Sequence, residues 1–254
     1  MSGQERVIFG FHTVLARLRA ESKSVLEVFL DEARKDARAK DFAAQVERAG
    51  VRLMRVPAAR LQGLAGGGRH QGVVARVTAH TQKQTLEELL ESVERDLRVP
   101  PLLLVLDGIT DPHNLGACLR VANAAGAHAV IAPKDHAAGI NATVSKVASG
   151  AAEITPYFMV TNLARTLRDL KDRNIWVVGT DSSSSEDIFL VKDLPRSIAW
   201  VLGAEGAGMR RLTRESCDLL VRIPMAGQVE SLNASVAAGI CLFESVRRSG
   251  ILRA

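Results

Sequence analysis

The chain has 254 residues, 47% of them hydrophobic and 24% charged, with a net charge of +5. That length allows one large domain or two modest ones, each able to bury a core. A membrane span is excluded because no run approaches ~20 consecutive apolar residues; the polar start argues against a secretory signal, and three widely spaced cysteines against a disulfide framework or a zinc site.

The reducing cytoplasm is therefore the expected compartment, and Cys118, Cys217 and Cys241 read as small buried hydrophobes in apolar surroundings. In chain order, residues 7–9 read as a short extended stretch and residues 13–20 as a helix with Val14, Leu15 and Leu18 on one face. A strand follows at 25–30, then a helix over 36–49 that stops at Gly50, and strands at 52–56 and 72–77. Between the last two lie three consecutive glycines, 66–68, followed by Arg69 and His70. Such a loop suits contact with phosphates; a plain solvated turn is the alternative. Residues 1–80 hold fourteen Lys and Arg against eight Asp and Glu, whereas 99–254 hold sixteen against fifteen. A basic lobe on a near-neutral body points to an anionic partner such as RNA, with a merely soluble basic surface as the equal alternative.

Residues 78–84 are polar and aperiodic, which predicts a linker. A helix from 86 to about 97 leads to Pro100-Pro101, which ends it. The pattern then changes. Residues 102–106 form a continuous apolar run, as in a strand buried on both faces, and similar runs occupy 129–132, 175–179, 198–202 and 219–223. Helical stretches at 115–125, 142–149, 163–173 and 232–248 separate or follow them. Strands alternating with helices predict a mostly parallel sheet covered on both sides. Ser182–Ser185 reads as a surface loop.

Three clusters follow apolar strands, where ligands of open parallel sheets bind. In the first, Asp107 to Gly116, a loop precedes a helix that carries Arg120 on the same face as Gly116 and Asn123. Gly116 is expected to leave room for a ligand backbone, and the planar fork of Arg120 suits a phosphate. The second, Gly203 to Gly208 with Glu205, reads GxxGxG and not GxGxxG, which argues against a dinucleotide site. The third runs through Ile223-Pro224-Met225 to Ser231-Leu232-Asn233-Ala234-Ser235. Ser231 is a plausible N-cap for the last helix, with Leu232, Val236, Ile240 and Phe243 as its apolar stripe.

Together these clusters resemble the signature motifs of the SpoU (SPOUT) methyltransferases: NxGxxxR at Asn114–Arg120, LGxExxG at Leu202–Gly208, and IPM with SLNxS at 223–225 and 231–235. No position departs from them. The resemblance implies an α/β C-terminal domain with a parallel sheet and a trefoil knot over roughly 202–248, spanning 99–254. Residues 79–98 would be linker and connecting helix. Residues 1–78 resemble the family's small L30e-like substrate-binding domain at 10–14 and 70–73. The resemblance further implies a homodimer that uses S-adenosylmethionine to methylate a ribose 2′-hydroxyl, the best-matching substrate being a guanosine of 23S rRNA in the large-subunit precursor. A tRNA, another rRNA site, or a non-catalytic role in assembly remain as alternatives. By position Arg120, Asn114, Glu205, Asn233 and Ser231 would be catalytic, and Gly203, Ile223, Met225 and Leu232 would hold the cofactor. Arg69, His70 and His12 would touch RNA. No metal and no membrane are implied.

Overall fold

A computed structural model describes residues 5–68, 70–78, 84–96 and 99–250. Arg69, the core of the expected linker at 79–83, and the end of the expected helix at 97–98 lie outside them. The chain sorts into two compact units. One runs to residue 81 and takes in residues 140–154; the other holds residues 82–139 and 155–254. The segment 140–154 therefore packs with the N-terminal unit, although the sequence places it inside the C-terminal domain. Glu153, buried to 1% exposure, anchors it by pairing with Arg6 and Arg17.

The first unit is built from β1 (Glu5–Phe9), α1 (Phe11–Glu21), β2 (Val25–Asp31), α2 (Ala37–Arg48), β3 (Leu53–Val56), α3 (Ala58–Leu64) and β4 (Val73–Thr78). Its sheet order is β1-β4-β2-β3; β4 pairs antiparallel with β1 and β2, and β2 parallel with β3. Strand alternation makes two cores. Val73, Ala75 and Val77 join Phe11, Val14, Phe42 and Val46 on one face, while Val74 joins Phe29, Val56 and Leu61 on the other. Asp36 caps α2 by accepting from the Ala39 N–H, and the helix ends at Gly50, whose φ of 70° suits a residue without a Cβ. The short α3 was not foreseen, because seven residues carry too little periodicity.

The second unit contains α4 (Leu86–Arg95), β5 (Leu102–Asp107), α5 (Pro112–Ala124), β6 (Ala129–Pro133), β7 (Tyr157–Val160), α7 (Leu163–Asp172), β8 (Trp176–Thr180), β9 (Ile198–Gly203), α8 (Arg211–Glu215), β10 (Leu219–Val221) and α9 (Ala234–Ser249); α6 (Ala142–Val147) belongs to the first unit. Its six strands are all parallel, in the order β10-β8-β9-β5-β6-β7. All six residues of β5 are buried, as the unbroken apolar run requires of a central strand. Trp200 of β9 is fully buried and donates its indole N–H to Ser245 on α9 at 2.8 Å.

Three expectations need correction. Asn233, not Ser231, caps α9: its Oδ1 accepts from the Ser235 N–H, the second helical amide, whereas Ser231 lies a further two residues upstream. Of the stripe expected to be buried on α9, Val236 is 50% and Phe243 42% exposed, while Ile240 is half-buried. Ala234, Ala238, Cys241, Leu242 and Val246 go inward, because that face of α9 lies against α5 and β9. Cys217 is half-buried, unlike Cys118 and Cys241.

Candidate active site

The candidate site lies at the carboxyl ends of β8 and β9, in the loops that follow them and in the start of α9. Gly203 ends β9, and the chain doubles back: the Ala204 N–H donates to the Gly208 carbonyl at 3.0 Å and the Gly208 N–H to the Ala204 carbonyl at 2.8 Å. A Cβ at residue 203 would stand 2.1 Å from the Gly208 carbonyl carbon, so only glycine fits. Gly208, at φ 68°, closes the turn.

This loop aims Glu205 at two other stretches. Glu205 Oε1 accepts from Asn114 Nδ2 (3.2 Å), from Asn233 Nδ2 (2.8 Å) and from the Ala234 N–H (3.2 Å). Asn233 Nδ2 also donates to Asn114 Oδ1 at 2.8 Å. Residues from all three motifs thus meet at one carboxylate oxygen, a charge-assisted arrangement that fixes both amides. Behind it, burial and then the Glu205 charge push the Cys118 thiol up to about 12, so it stays neutral.

The predicted residues Gly203, Glu205, Ile223, Met225, Ser231 and Leu232 line one open cleft of about 250 Å³. Thr180, Asp181 and Ser182 complete its wall, where a mere surface loop was expected at the serines. The rule that ligands sit at strand carboxyl ends applies equally to β8 and is the signal that would have found them. The Ser183 hydroxyl, then the Ser183 N–H and Arg214, hold the Asp181 carboxyl below the usual range, so it is ionised at neutral pH. The cleft is therefore lined by Asp181, Glu205 and Glu230, and no Lys, Arg or His is among its described lining residues.

Asp107, at the end of β5, fixes the far side of the Gly203 loop. Its side chain is fully buried, and it accepts from the Arg210 N–H at 2.9 Å and from Arg210 Nε at 2.7 Å. Arg210 is half exposed, so Arg210→Ala is expected to cost about 2 kcal/mol by stranding part of a buried carboxylate. A melting temperature lowered by roughly 4–8 °C is the check; an unchanged one would show that the pair contributes nothing.

Arg120 stands apart. It is exposed on α5, roughly 9 Å further along the helix axis than Asn114, and it is not among the residues lining the cleft. Gly116 is buried. His12 is exposed in the first turn of α1, and the His70 Nδ1 accepts from the Gly72 N–H at 3.1 Å, closing its own turn. Among the described residues no group of His, Cys, Asp and Glu could hold a metal ion, and no helix is long and apolar enough to cross a membrane.

The model of the SpoU rRNA methylase family matches residues 101–243, and that of the RNA 2′-O ribose methyltransferase substrate-binding domain matches residues 7–83. A 23S rRNA (guanosine-2′-O-)-methyltransferase RlmB of Ralstonia nicotianae is 57% identical, with 99% of each chain covered. Its counterpart in Neisseria meningitidis serogroup B is 54% identical, covering 98% of this chain and 97% of its own. Among solved structures, the SpoU methyltransferase AviRb of Streptomyces viridochromogenes, in complex with AdoMet, superposes with a TM-score of 0.75. It is 26% identical and covers 96% of this chain and 90% of its own.

Proposed function

The chain belongs to the SpoU rRNA methylase family, and from that membership we propose that it methylates the ribose 2′-hydroxyl of a guanosine in 23S rRNA, using S-adenosylmethionine, in the cytoplasm. The observation that carries this reading is the acidic, cation-free cleft beside the Asn114–Glu205–Asn233 cluster. A cofactor bearing a sulfonium and an ammonium suits Glu205 and Glu230, with Asp181 already paired to Arg214, whereas a phosphate-bearing dinucleotide would be repelled. Ile223, Leu232 and Met225 offer apolar contact, and the backbone at Gly203 and Ala204 offers polar groups; these residues would hold it. S-adenosylmethionine supplies the sulfonium methyl group that the ribose oxygen displaces.

The protein's own task is to align that oxygen and ease loss of its proton. Arg120 is no free base, because a guanidinium offers five N–H donors and no acceptor. It grips the target phosphate and stabilises the developing alkoxide. Glu205, Asn114 and Asn233 hold one another in register, and Ser231 shapes the mouth of the cleft.

The domains are assigned as an L30e-like substrate-binding domain over 1–78, a linker and helix over 79–98, and a methyltransferase domain over 99–254. Passage of the last part of the chain through a loop, as a trefoil knot, is supported by the return of α9 from the edge strand β10 to the central strands β9 and β5. The outward apolar stripe of Val236 and Phe243 supports a homodimer, since two such faces bury each other. Phe243→Glu is expected to convert a dimer to monomer in light scattering; a wild-type monomer would refute the pairing. Activity itself is tested by incubating the protein, S-adenosylmethionine and an unmodified 23S rRNA transcript. Mapping of one new 2′-O-methylguanosine is the expected result, and no methyl incorporation would overturn the reading.

A further inference from the structure

We propose that Arg248, in the last turn of α9, is a positioning residue for the cofactor, because it clamps the far end of a segment, residues 181–192, whose start walls the cleft. The segment leaves the carboxyl end of β8 and runs beside the edge strand β10. The Asp181 N–H donates to the Val221 carbonyl at 2.8 Å, the Arg222 N–H to the Glu186 carbonyl at 2.8 Å, and the Ile188 N–H to the Arg222 carbonyl at 3.0 Å. The Ser184 hydroxyl adds a bond to the Leu220 carbonyl at 2.8 Å. One end of this ribbon carries Asp181 and Ser182, and the other grips Arg222, the residue before Ile223. Asp181, Ser182 and Ile223 all line the cleft.

Arg214 of α8 ties the near end through Asp181. At the far end, Arg248 Nη2 donates to the carbonyls of Ile188 (3.2 Å) and Phe189 (3.4 Å), and Nη1 to those of Val191 and Lys192, the latter at 3.5 Å. Its Nε donates to Glu244 Oε1 at 2.6 Å. All five N–H donors of the guanidinium are thus engaged, four of them on one stretch of backbone. Only a planar fork can span four acceptors in this way; an ammonium offers three donors from a single point. The charge is balanced in place. Glu244 is buried, and Arg247 first, then Arg248, hold its carboxyl below the usual range, so the pair stays charged at neutral pH.

Helix α9 therefore acts at two places on the cleft. Its start gives the Ala234 N–H to Glu205. Its end, fourteen residues and roughly 21 Å further along the axis, holds the segment. Arg248 reaches the cofactor only through Asp181, Ser182 and Ile223, whereas the Asn114–Glu205–Asn233 cluster is held by its own bonds. The clamp should set how tightly the cofactor is bound and leave the chemical step alone. This assignment rests on the proposed use of S-adenosylmethionine.

The test is calorimetric titration of the full-length protein with S-adenosylmethionine, with methyl transfer to an unmodified 23S rRNA transcript followed in parallel. Arg248→Ala is expected to raise Kd and KM for S-adenosylmethionine about tenfold, the worth of one charge-assisted hydrogen bond. The kcat at saturating cofactor should stay within about twofold of wild type. Arg248→Lys keeps the charge beside Glu244 but reaches fewer carbonyls, so a rise of about threefold is expected, and it stands in if the alanine variant does not fold. Arg173→Ala is the control: it removes a pair with Glu94 that joins α7 to α4, and neither residue lines the cleft. Its Kd should be that of wild type even at a lowered melting temperature. A wild-type Kd in the folded Arg248 variants, or an equal rise in Arg173→Ala, would overturn the clamp. Variant effects of the expected size in a protein that binds S-adenosylmethionine but never methylates the transcript would uphold the clamp and sink the proposed activity. A wild-type protein that binds no S-adenosylmethionine would sink both.

Discussion

Replacing Arg120 by alanine is expected to lower methyl transfer by a factor on the order of 1,000, with the affinity for S-adenosylmethionine within about twofold of wild type. The guanidinium is exposed on α5 and absent from the lining of the cleft, so its loss should leave the cofactor's surroundings intact. What it removes is the positive charge that steadies the oxyanion as the ribose proton leaves. If Arg120 reaches the cleft of the second subunit, activity should return when Arg120→Ala chains are mixed with Glu205→Ala chains. A mixed dimer then holds one site with both residues intact. Full turnover by Arg120→Ala alone would show the role to be misassigned, and mixtures as inactive as the separate variants would show that each chain uses its own arginine.

Glu205→Ala is the second large effect, expected to reduce kcat about 100-fold. One carboxylate oxygen accepts three N–H groups, two of them from the Asn114 and Asn233 amides. Without it Asn114 and Asn233 lose their shared anionic acceptor and keep only their mutual bond and the Asn233 cap on Ser235, and the start of α9 loses the acceptor of the Ala234 N–H. Glu205 is exposed, so stability should fall little and a melting curve separates the two outcomes. Glu205→Gln keeps shape and one oxygen, but its amide opposes two other amide donors; an intermediate loss is expected. If Glu205→Ala melts as wild type and turns over as wild type, the cluster has no catalytic part.

Much of this molecule was legible from local pattern. The unbroken apolar run at 102–106 announced a strand buried on both faces, and β5 is central and fully buried. The glycine-rich stretch from Gly203 to Gly208 was legible as a motif, and the structure turns it back so tightly that a Cβ at 203 would collide with backbone. Other elements were too short or too polar to announce themselves. The five residues of α8, Arg-Leu-Thr-Arg-Glu, carry no stripe, and β7 has only four residues, one of them buried.

The amino-acid sequence by itself determined the two-part organisation, the parallel α/β class of the C-terminal half, and the residue types that make the cleft. These depend on periodicity and on short motifs, which are properties of neighbours along the chain. Only the tertiary structure decided that Val236 and Phe243 face outward, that Asn233 caps α9, that residues 140–154 pack with the N-terminal unit, and that Asp181 and Ser182 wall the cleft. Hydrophobicity says that a side chain prefers burial but not against what, and a helix with two apolar faces leaves the choice to its neighbours. The bonds that unite the site join Asn114 to Glu205 across 91 positions and to Asn233 across 119. Contacts so distant exist only once the sheet has brought its strand ends together.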